Sequence, residues 1–209
     1  MLLMVITPSK TVPDEADAIT RMFEHGLQFL HLRKPKFTTV RMKQYLDEIP
    51  KQYHNRIIIH SHHKLILKYN LKGVHYSSTH LSSKLKYRWL RFRLKFKLNS
   101  LIKSRNHTRT NSLFEKEILD FDYYMLGTMF NNVNNEFYSG FYEESIKDVI
   151  NSTGKKVIAR GGTNPAIIGK CKEMGLYGIA FKSYIWNSAT PFQQFLNIVD
   201  AFKQLQIPL

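Results

Sequence analysis

The residues best suited to chemistry form short polar groups, each directly after a run of apolar residues. The first group is His31-Leu32-Arg33-Lys34-Pro35, at the end of the run 29–32. Arg33 can bind a phosphate through two parallel hydrogen bonds, and Lys34 can add a second positive charge. The group therefore predicts an anion-binding site that includes His31, with a pair of solvated surface charges as the alternative.

A second group, His60-Ser61-His62-His63, holds three histidines in four residues. Such density suggests a metal site, but no Asp, Glu or Cys lies near these histidines in sequence. Adjacent histidines also rarely converge on one ion. We therefore predict no metal site here. Instead, we expect neutral imidazoles, with His60 as a phosphate-binding candidate or as a solvated residue at a helix start.

Two more groups follow the last apolar runs: Ala159-Arg160-Gly161-Gly162-Thr163 and Phe181-Lys182-Ser183-Tyr184. Paired glycines let backbone N–H groups approach an anion closely. A helix that begins near Ser183 would present further N–H groups and the positive end of its dipole. Gly161, Gly162 and Ser183 are therefore predicted to form a phosphate cradle.

The elements that must position these groups are eight short apolar runs, separated by amphipathic segments with helix signals such as Pro13, Asn164-Pro165 and Thr190-Pro191. Short continuous apolar runs suit parallel strands that are buried on both faces. Eight strand–helix repeats predict an α/β fold, a (β/α)8 TIM barrel, as one domain over residues 1–209. In such barrels functional residues lie where the strands end. The predicted strands are Leu2–Thr7, Phe29–Leu32, Ile57–His60, Gly73–His75, Phe92–Asn99, Tyr123–Gly127, Lys156–Ala159 and Gly178–Phe181.

The composition narrows the class of protein. One cysteine, Cys171, excludes an internal disulfide framework and fits a reducing compartment, so a cytoplasmic location is expected. The apolar start ends at Thr7-Pro8, too early for a signal peptide or a membrane span, and no membrane partner is expected. Barrels of this size often dimerise, which leaves a homodimer open.

The positive charge is concentrated in one third of the chain. The net charge is +15, from 31 Lys and Arg against 16 Asp and Glu. Residues 49–114 hold 15 of the basic residues and no acidic one, so the rest of the chain is balanced. Such a region attracts anions: substrate phosphates, an acidic partner or nucleic acid.

The densest part of this region alternates basic and apolar residues from Trp89 to Asn99. Period two indicates a strand with one basic face. Four cations cannot all point into a packed barrel without a large desolvation cost, so this face is expected in solvent. Binding of nucleic acid or an acidic partner by residues 84–109 is the alternative.

Taken together, these positions resemble thiamin phosphate synthase and its relative, the thiazole tautomerase. The resemblance runs nearly end to end. It is carried by His-Leu-Arg-Lys-Pro at 31–35, Gly73-Val74-His75, Asp122-Tyr123 followed by Gly127, and Val157 to Gly162. Each motif is weak alone, but their order and spacing are fairly specific.

The resemblance implies an activity and a set of roles. The synthase joins hydroxymethylpyrimidine pyrophosphate to thiazole phosphate and releases pyrophosphate. Its leaving group is held by Arg and Lys after the second strand, a Lys after the sixth and Mg²⁺. The Gly-Gly turn and the Ser after the eighth strand hold the thiazole phosphate.

Several of these features are missing. The family's Mg²⁺ ligands are carboxylates after the third and fourth strands, where this chain has His60-Ser61 and Ser77-Ser78-Thr79-His80. Mg²⁺ requires hard oxygen ligands, so the usual metal site is expected to be absent. No Lys occurs in residues 128–135, and Pro35 replaces the second-strand Lys. The tautomerase has a catalytic His after the fifth strand, where the predicted alignment places Ser100, with His107 nearest.

Three hypotheses follow, and no residue is assigned as catalytic. The leading one is a divergent thiamin phosphate synthase that binds a phosphorylated ligand, with Lys and Arg in place of Mg²⁺. The second is a non-catalytic or tautomerase-like barrel that binds a phosphorylated thiazole or a related ligand. The third is an interaction protein that uses residues 84–109.

Overall fold

Eight parallel strands close into a barrel in chain order, with helices outside it. The structure is a computed structural model that describes residues 1–82, 101–117, 119–131, 136–138 and 141–209. The closed barrel of eight parallel strands confirms the predicted (β/α)8 TIM barrel. The strands are β1 Leu2–Ile6, β2 Phe29–Leu32, β3 Ile57–Ile59, β4 Gly73–Tyr76, β5 Ile102–His107, β6 Tyr123–Leu126, β7 Val157–Arg160 and β8 Gly178–Phe181.

The helices cover the outer surface of the strands. In the described part of the chain they are α1 Glu15–Glu24, α2 Thr39–Asp47, α3 Ser78–Ser82, α4 Glu143–Thr153, α5 Ile168–Glu173, α6 Ser183–Trp186 and α7 Pro191–Gln204. Short 3-10 helices cover Lys51–Arg56, His63–Leu67, Thr110–Leu113 and Pro165–Ile167. None of these helices is long and apolar enough to cross a membrane.

Local signals account for several of these boundaries. The side chain of Asn164 accepts a hydrogen bond from the Ala166 N–H, and Pro165 opens the turn that leads into α5. A capping oxygen and a proline at the first position satisfy groups that a helix start leaves unpaired. Cys171 on α5 is fully buried, and burial raises the pKa of its thiol, as expected of an apolar filler.

Two apolar layers result from the alternation of side chains along each strand. The larger layer lies between strands and helices and includes Ile19 and Phe23 of α1. The smaller one fills the barrel interior with Met4, Ile58, Met125, Ile158 and Ala180, together with Ile6 and Tyr123. Residues two positions further along the same strands therefore point toward the barrel mouth, the open end where the strands finish.

The predicted fifth strand at Phe92–Asn99 was wrong. The strand between β4 and β6 is Ile102–His107, with Ser104 paired to His75 on one side and to Tyr123 on the other. Its sequence, Ile-Lys-Ser-Arg-Asn-His, has no apolar run because its inward positions carry Ser104 and Asn106. The regular alternation of basic and apolar residues from Trp89 to Asn99 is a stronger sequence signal for a strand than the sequence of β5 itself. Ser100 and most of the basic 84–109 segment lie outside the described residues.

Candidate functional site

Three cations lie at the barrel mouth, and they come from three different strands. Arg33 follows β2, Arg160 is the last residue of β7, and Lys182 follows β8. Burial and the charge of Arg33 lower the pKa of Arg160. Burial, followed by the charges of Arg33 and Arg160 and a smaller effect of Lys34, lowers the pKa of Lys182. We call these three residues the cationic rim; their mutual repulsion would be relieved by an anion bound between them.

Two of the rim residues are held by neighbouring loops. The Arg33 guanidinium donates to Ser9 Oγ at 3.0 Å, and its backbone N–H donates to Thr7 Oγ1 at 2.8 Å. Arg160 Nη2 donates to the carbonyl of Gly127 at 3.0 Å. Arg160 Nε is buried and has no partner among the described residues, so a further acceptor would satisfy it.

Lys34 is not part of this rim. Its ammonium is buried and donates to Glu15 Oε2 at 2.6 Å and to the Lys10 carbonyl at 3.2 Å. The hydroxyl of Tyr45 donates to the other oxygen of Glu15. Burial lowers the pKa of Lys34, while the carboxylate of Glu15 opposes that shift. The charge of Lys34, predicted to assist Arg33, is thus neutralised by Glu15. Glu15 lies on the first turn of α1, and the motifs after the strands do not reveal this pairing.

The paired glycines have a packing role at the mouth. Gly161 and Gly162 have φ of +81° and +70°, in the region that favours glycine. A Cβ on Gly162 would lie 1.9 Å from the Phe130 carbonyl oxygen, because the loop after β7 packs on the loop after β6. Ser183 begins α6 and is exposed. These three residues lie after β7 and β8, and their contact with phosphate stays a prediction.

A cluster of three histidines lies below the rim, inside the barrel. His31 on β2, His60 after β3 and His75 on β4 converge, with one ring nitrogen of each within 4.8 Å of the others. His31 Nδ1 is 2.9 Å from His60 Nε2, and the rings of His60 and His75 stack at 4.1 Å. We call these residues the histidine layer.

Two hydroxyl groups hold this layer. His31 Nε2 lies 2.6 Å from the Tyr123 hydroxyl, and His75 Nδ1 lies 2.9 Å from Ser104 Oγ. His75 Nε2 is buried and has no hydrogen-bond partner among the described residues. Burial lowers the pKa of His31 to about 3, and it also holds the pKa values of His60 and His75 well below 6.5. All three imidazoles are therefore neutral at pH 7.

The geometry changes the interpretation of the histidine-rich group. His62 turns away from the layer, with Nδ1 2.9 Å from Thr39 Oγ1 and Nε2 donating to the Phe37 carbonyl. Adjacent histidines therefore do not converge, as predicted. The prediction of no metal site stays a prediction. His60 nevertheless meets histidines from the two neighbouring strands, and their ring nitrogens are close enough to share an ion. Strand alternation could have revealed it, because His31 and His75 both lie at inward positions.

His107 has a different role from the one sequence comparison suggested. It is the last residue of β5, but it belongs to the outward face of the strand. His107 Nε2 is 3.0 Å from Glu117 Oε1, and Nδ1 is 2.7 Å from Ser112 Oγ. The inward residue at this end of β5 is Asn106, whose Oδ1 is buried without a partner among the described residues. His107 therefore does not reach the barrel interior.

A magnesium ion does not fit the residues after β3 and β4. His60, Ser61 and Ser77 occupy the first positions there, and residues 49–114 contain no carboxylate. Mg²⁺ prefers hard oxygen ligands in octahedral geometry, usually with carboxylates, whereas imidazole suits borderline transition metals. The negative charge of a phosphate bound at the mouth must therefore be neutralised by groups other than Mg²⁺. The cationic rim provides three positive charges there.

One family model matches most of the chain. A family model described as thiamine monophosphate synthase matches residues 3–185. The structure of thiamine phosphate pyrophosphorylase from Bacteroides thetaiotaomicron is similar at a TM-score of 0.74 and 26% identity, over 99% of this chain and 96% of that one. No curated protein sequence matched.

Two more distant structures share the fold. Thiamine phosphate pyrophosphorylase from Pyrococcus furiosus is 17% identical with a TM-score of 0.75, over 98% of this chain and 96% of that one. A geranylgeranylglyceryl phosphate synthase from Thermoplasma acidophilum, solved with sn-glycerol-1-phosphate, is 16% identical with a TM-score of 0.66. It is matched over 97% of this chain and 92% of that one.

Proposed function

The chain belongs to the thiamine monophosphate synthase family, and from that premise we propose that it joins hydroxymethylpyrimidine pyrophosphate to thiazole phosphate at the barrel mouth. The observation that carries the proposal is the cationic rim of Arg33, Arg160 and Lys182. Burial and the nearby positive charges lower the pKa values of Arg160 and Lys182, and such a concentration of cations suits a ligand with several negative charges. Both substrates and the released pyrophosphate are such ligands.

The rim would act on the charge that develops during the reaction. The bond between the pyrimidine methylene and the pyrophosphate oxygen breaks, and both bonding electrons leave with pyrophosphate. The thiazole nitrogen then attacks the methylene cation and forms the new C–N bond. Fixed guanidinium and ammonium groups stabilise the leaving group without needing to reorient, which is the usual role of preorganised charges. The rim cations thus take over the neutralisation that carboxylate-bound Mg²⁺ supplies elsewhere in the family.

A turnover assay with both substrates tests this proposal, run with excess chelator and with added Mg²⁺. We expect thiamine phosphate to form in chelator, with little gain from Mg²⁺. Arg160→Gln should lower kcat/KM by about 10- to 100-fold, since a hydrogen bond between charged groups contributes about 1.5–3 kcal/mol. Arg21→Gln is the matched control, because Arg21 is an exposed arginine in the last turn of α1 and does not belong to the cationic rim. Equal turnover of the two variants would contradict the role of the rim.

The loss of the family's carboxylates favours one second candidate, a barrel that binds a phosphorylated thiazole or a related ligand without turning it over. Such a protein would keep the rim and would not need the acids after β3 and β4. Absence of product under both metal conditions, together with thermal stabilisation by thiazole phosphate, would favour this candidate over the synthase.

A further inference from the structure

The histidine layer has a geometry that the proposed synthase reaction does not use. We propose that His31, His60 and His75 bind one divalent transition-metal ion, of which Zn²⁺ is the best match, inside the barrel and below the mouth. The ligands would be His31 Nδ1, His60 Nε2 and His75 Nε2. His60 follows β3, where the family has a Mg²⁺-binding carboxylate, but His31 and His75 lie within β2 and β4. Three imidazoles favour a different class of metal from Mg²⁺.

Distances between the ring nitrogens support a shared ion. A tetrahedral zinc ion with Zn–N bonds of 2.0–2.1 Å places its ligands about 3.3 Å apart. His31 Nδ1 and His60 Nε2 are already 2.9 Å apart, and one ring nitrogen from each of the three histidines lies within 4.8 Å of the others. Ring movements of about 1 Å therefore suffice to bring the three nitrogens onto one centre.

The remaining ring nitrogens provide a second argument. Ligating histidines usually donate their other N–H to an oxygen acceptor, which fixes the tautomer. His31 Nε2 has the Tyr123 hydroxyl at 2.6 Å, and His75 Nδ1 has Ser104 Oγ at 2.9 Å. With protons on those two nitrogens, the lone pairs of His31 Nδ1 and His75 Nε2 point to the shared space. In that tautomer two of the three ligands are oriented for a metal.

His75 Nε2 provides a third and independent argument. It is buried, and it has no hydrogen-bond partner among the described residues, although leaving a buried nitrogen unpaired is unfavourable. Neutral imidazole is the form that binds metal, so binding requires no net loss of protons. His60 Nε2, which donates to His31 Nδ1 in this arrangement, would transfer its proton to His60 Nδ1 when the ion binds. A metal bond would satisfy His75 Nε2 and replace the contact between His31 and His60.

The positive charges of the cationic rim favour one kind of fourth ligand for the metal ion. Arg33 and Arg160 lie close enough to influence His60 and His75 electrostatically, and these cations oppose a bare dication. The fourth ligand is therefore expected to be an anion from the mouth side, such as a phosphate oxygen. This coupling rests on the proposed anion site, whereas the three-histidine site stands without it.

The test uses Co²⁺ and Zn²⁺ on the full chain after dialysis against chelator, with metal content and visible absorption as readouts. We expect one equivalent of Co²⁺ with the intense absorption of a tetrahedral site, displaced by Zn²⁺ and not by millimolar Mg²⁺. His60→Gln and His75→Gln should each weaken Co²⁺ binding by at least about 100-fold, and Tyr123→Phe by about 10-fold through His31.

His62→Gln is the matched control, because His62 lies in the same loop and faces away from the layer. It should bind Co²⁺ like the unaltered chain. The proposal is overturned if the unaltered chain binds no metal, or if binding survives both His60→Gln and His75→Gln. Circular dichroism of each variant establishes that it folds. If His75→Gln does not fold, Tyr123→Phe, which keeps the ring, decides the question through its altered affinity.

Added inorganic pyrophosphate separates this inference from the proposed function. Tighter Co²⁺ binding with pyrophosphate supports both sites. Metal binding that pyrophosphate leaves unchanged supports the histidine site alone and counts against the coupling.

Discussion

The cationic rim and the histidine layer lie one above the other, yet they are chemically opposite. His31 lies on β2, and Arg33 directly follows that strand, two residues or about 7 Å further toward the mouth. The upper group keeps its charge at the open mouth. The lower group is desolvated, neutral and bonded to its neighbours. A step of two residues along a strand therefore separates charged groups suited to bind an anion from neutral imidazoles buried in the barrel.

This contrast also explains why one predicted cation does not join the rim. Lys34 follows Arg33 directly, but the alternation of side chains turns it toward α1 and Glu15. Neighbouring cations in the sequence thus serve different purposes, one at the mouth and one in the packing between β2 and α1. Substitutions of Lys34, Gly162 and Lys182 test this difference between cations at the mouth and cations in the packing.

Replacing Lys34 should affect stability far more than anion binding. Lys34→Met leaves the buried carboxylate of Glu15 without its cation, and breaking a buried ion pair costs about 3–5 kcal/mol of unfolding free energy. Urea unfolding measures this loss. The double variant Lys34→Met with Glu15→Gln should recover much of it, because no buried charge remains. A loss below about 1 kcal/mol would mean that Lys34 is an ordinary surface cation.

The scaffold of the rim depends on close packing at Gly162. Gly162→Ala should cost about 3 kcal/mol, from the left-handed backbone and from the contact with the Phe130 carbonyl. Gly154→Ala is the matched control: its φ is +63°, but nothing lies within 4 Å of the added Cβ, so about 1 kcal/mol is expected. Equal losses in thermal unfolding would show that the loop after β7 does not pack tightly on the loop after β6.

The charge of Lys182 should make anion binding depend on pH. Burial and the charges of Arg33 and Arg160 hold the pKa of Lys182 below 10.5. As pH rises, the ammonium loses its proton earlier than an ordinary lysine would, and affinity for pyrophosphate should fall by about tenfold. Lys182→Arg should keep its affinity over the same range, because guanidinium stays charged. Identical pH profiles of the two proteins would remove Lys182 from the rim.

Much of the fold could be predicted from the sequence, since seven of the eight strands are apolar runs buried on both faces. The fifth could not, because Ser104 and Asn106 occupy its inward positions and its sequence resembles a loop. Arg160 and Lys182 were visible in the motifs but were not recognised as charges of the site. Recognising them requires the closed barrel, which brings β7 and β8 close to β2 through β1.

The histidine layer was harder to predict for a related reason. The three residues are far apart in sequence, and only the parallel register between β2, β3, β4 and β5 brings them together. The sequence analysis treated His60 within its own group of adjacent histidines and His31 as a separate anion-binding candidate, so it did not relate either residue to His75. Counting inward positions on each strand is the step that would have found them.

The central claim is that the cationic rim binds a multiply charged anion without a divalent metal. Calorimetric titration of the chain with inorganic pyrophosphate in excess chelator tests it most directly. We predict saturable binding that weakens by about 10- to 100-fold in Arg160→Gln and is unchanged in Arg21→Gln. Binding that requires added Mg²⁺, or that is equal in the two variants, would contradict the claim.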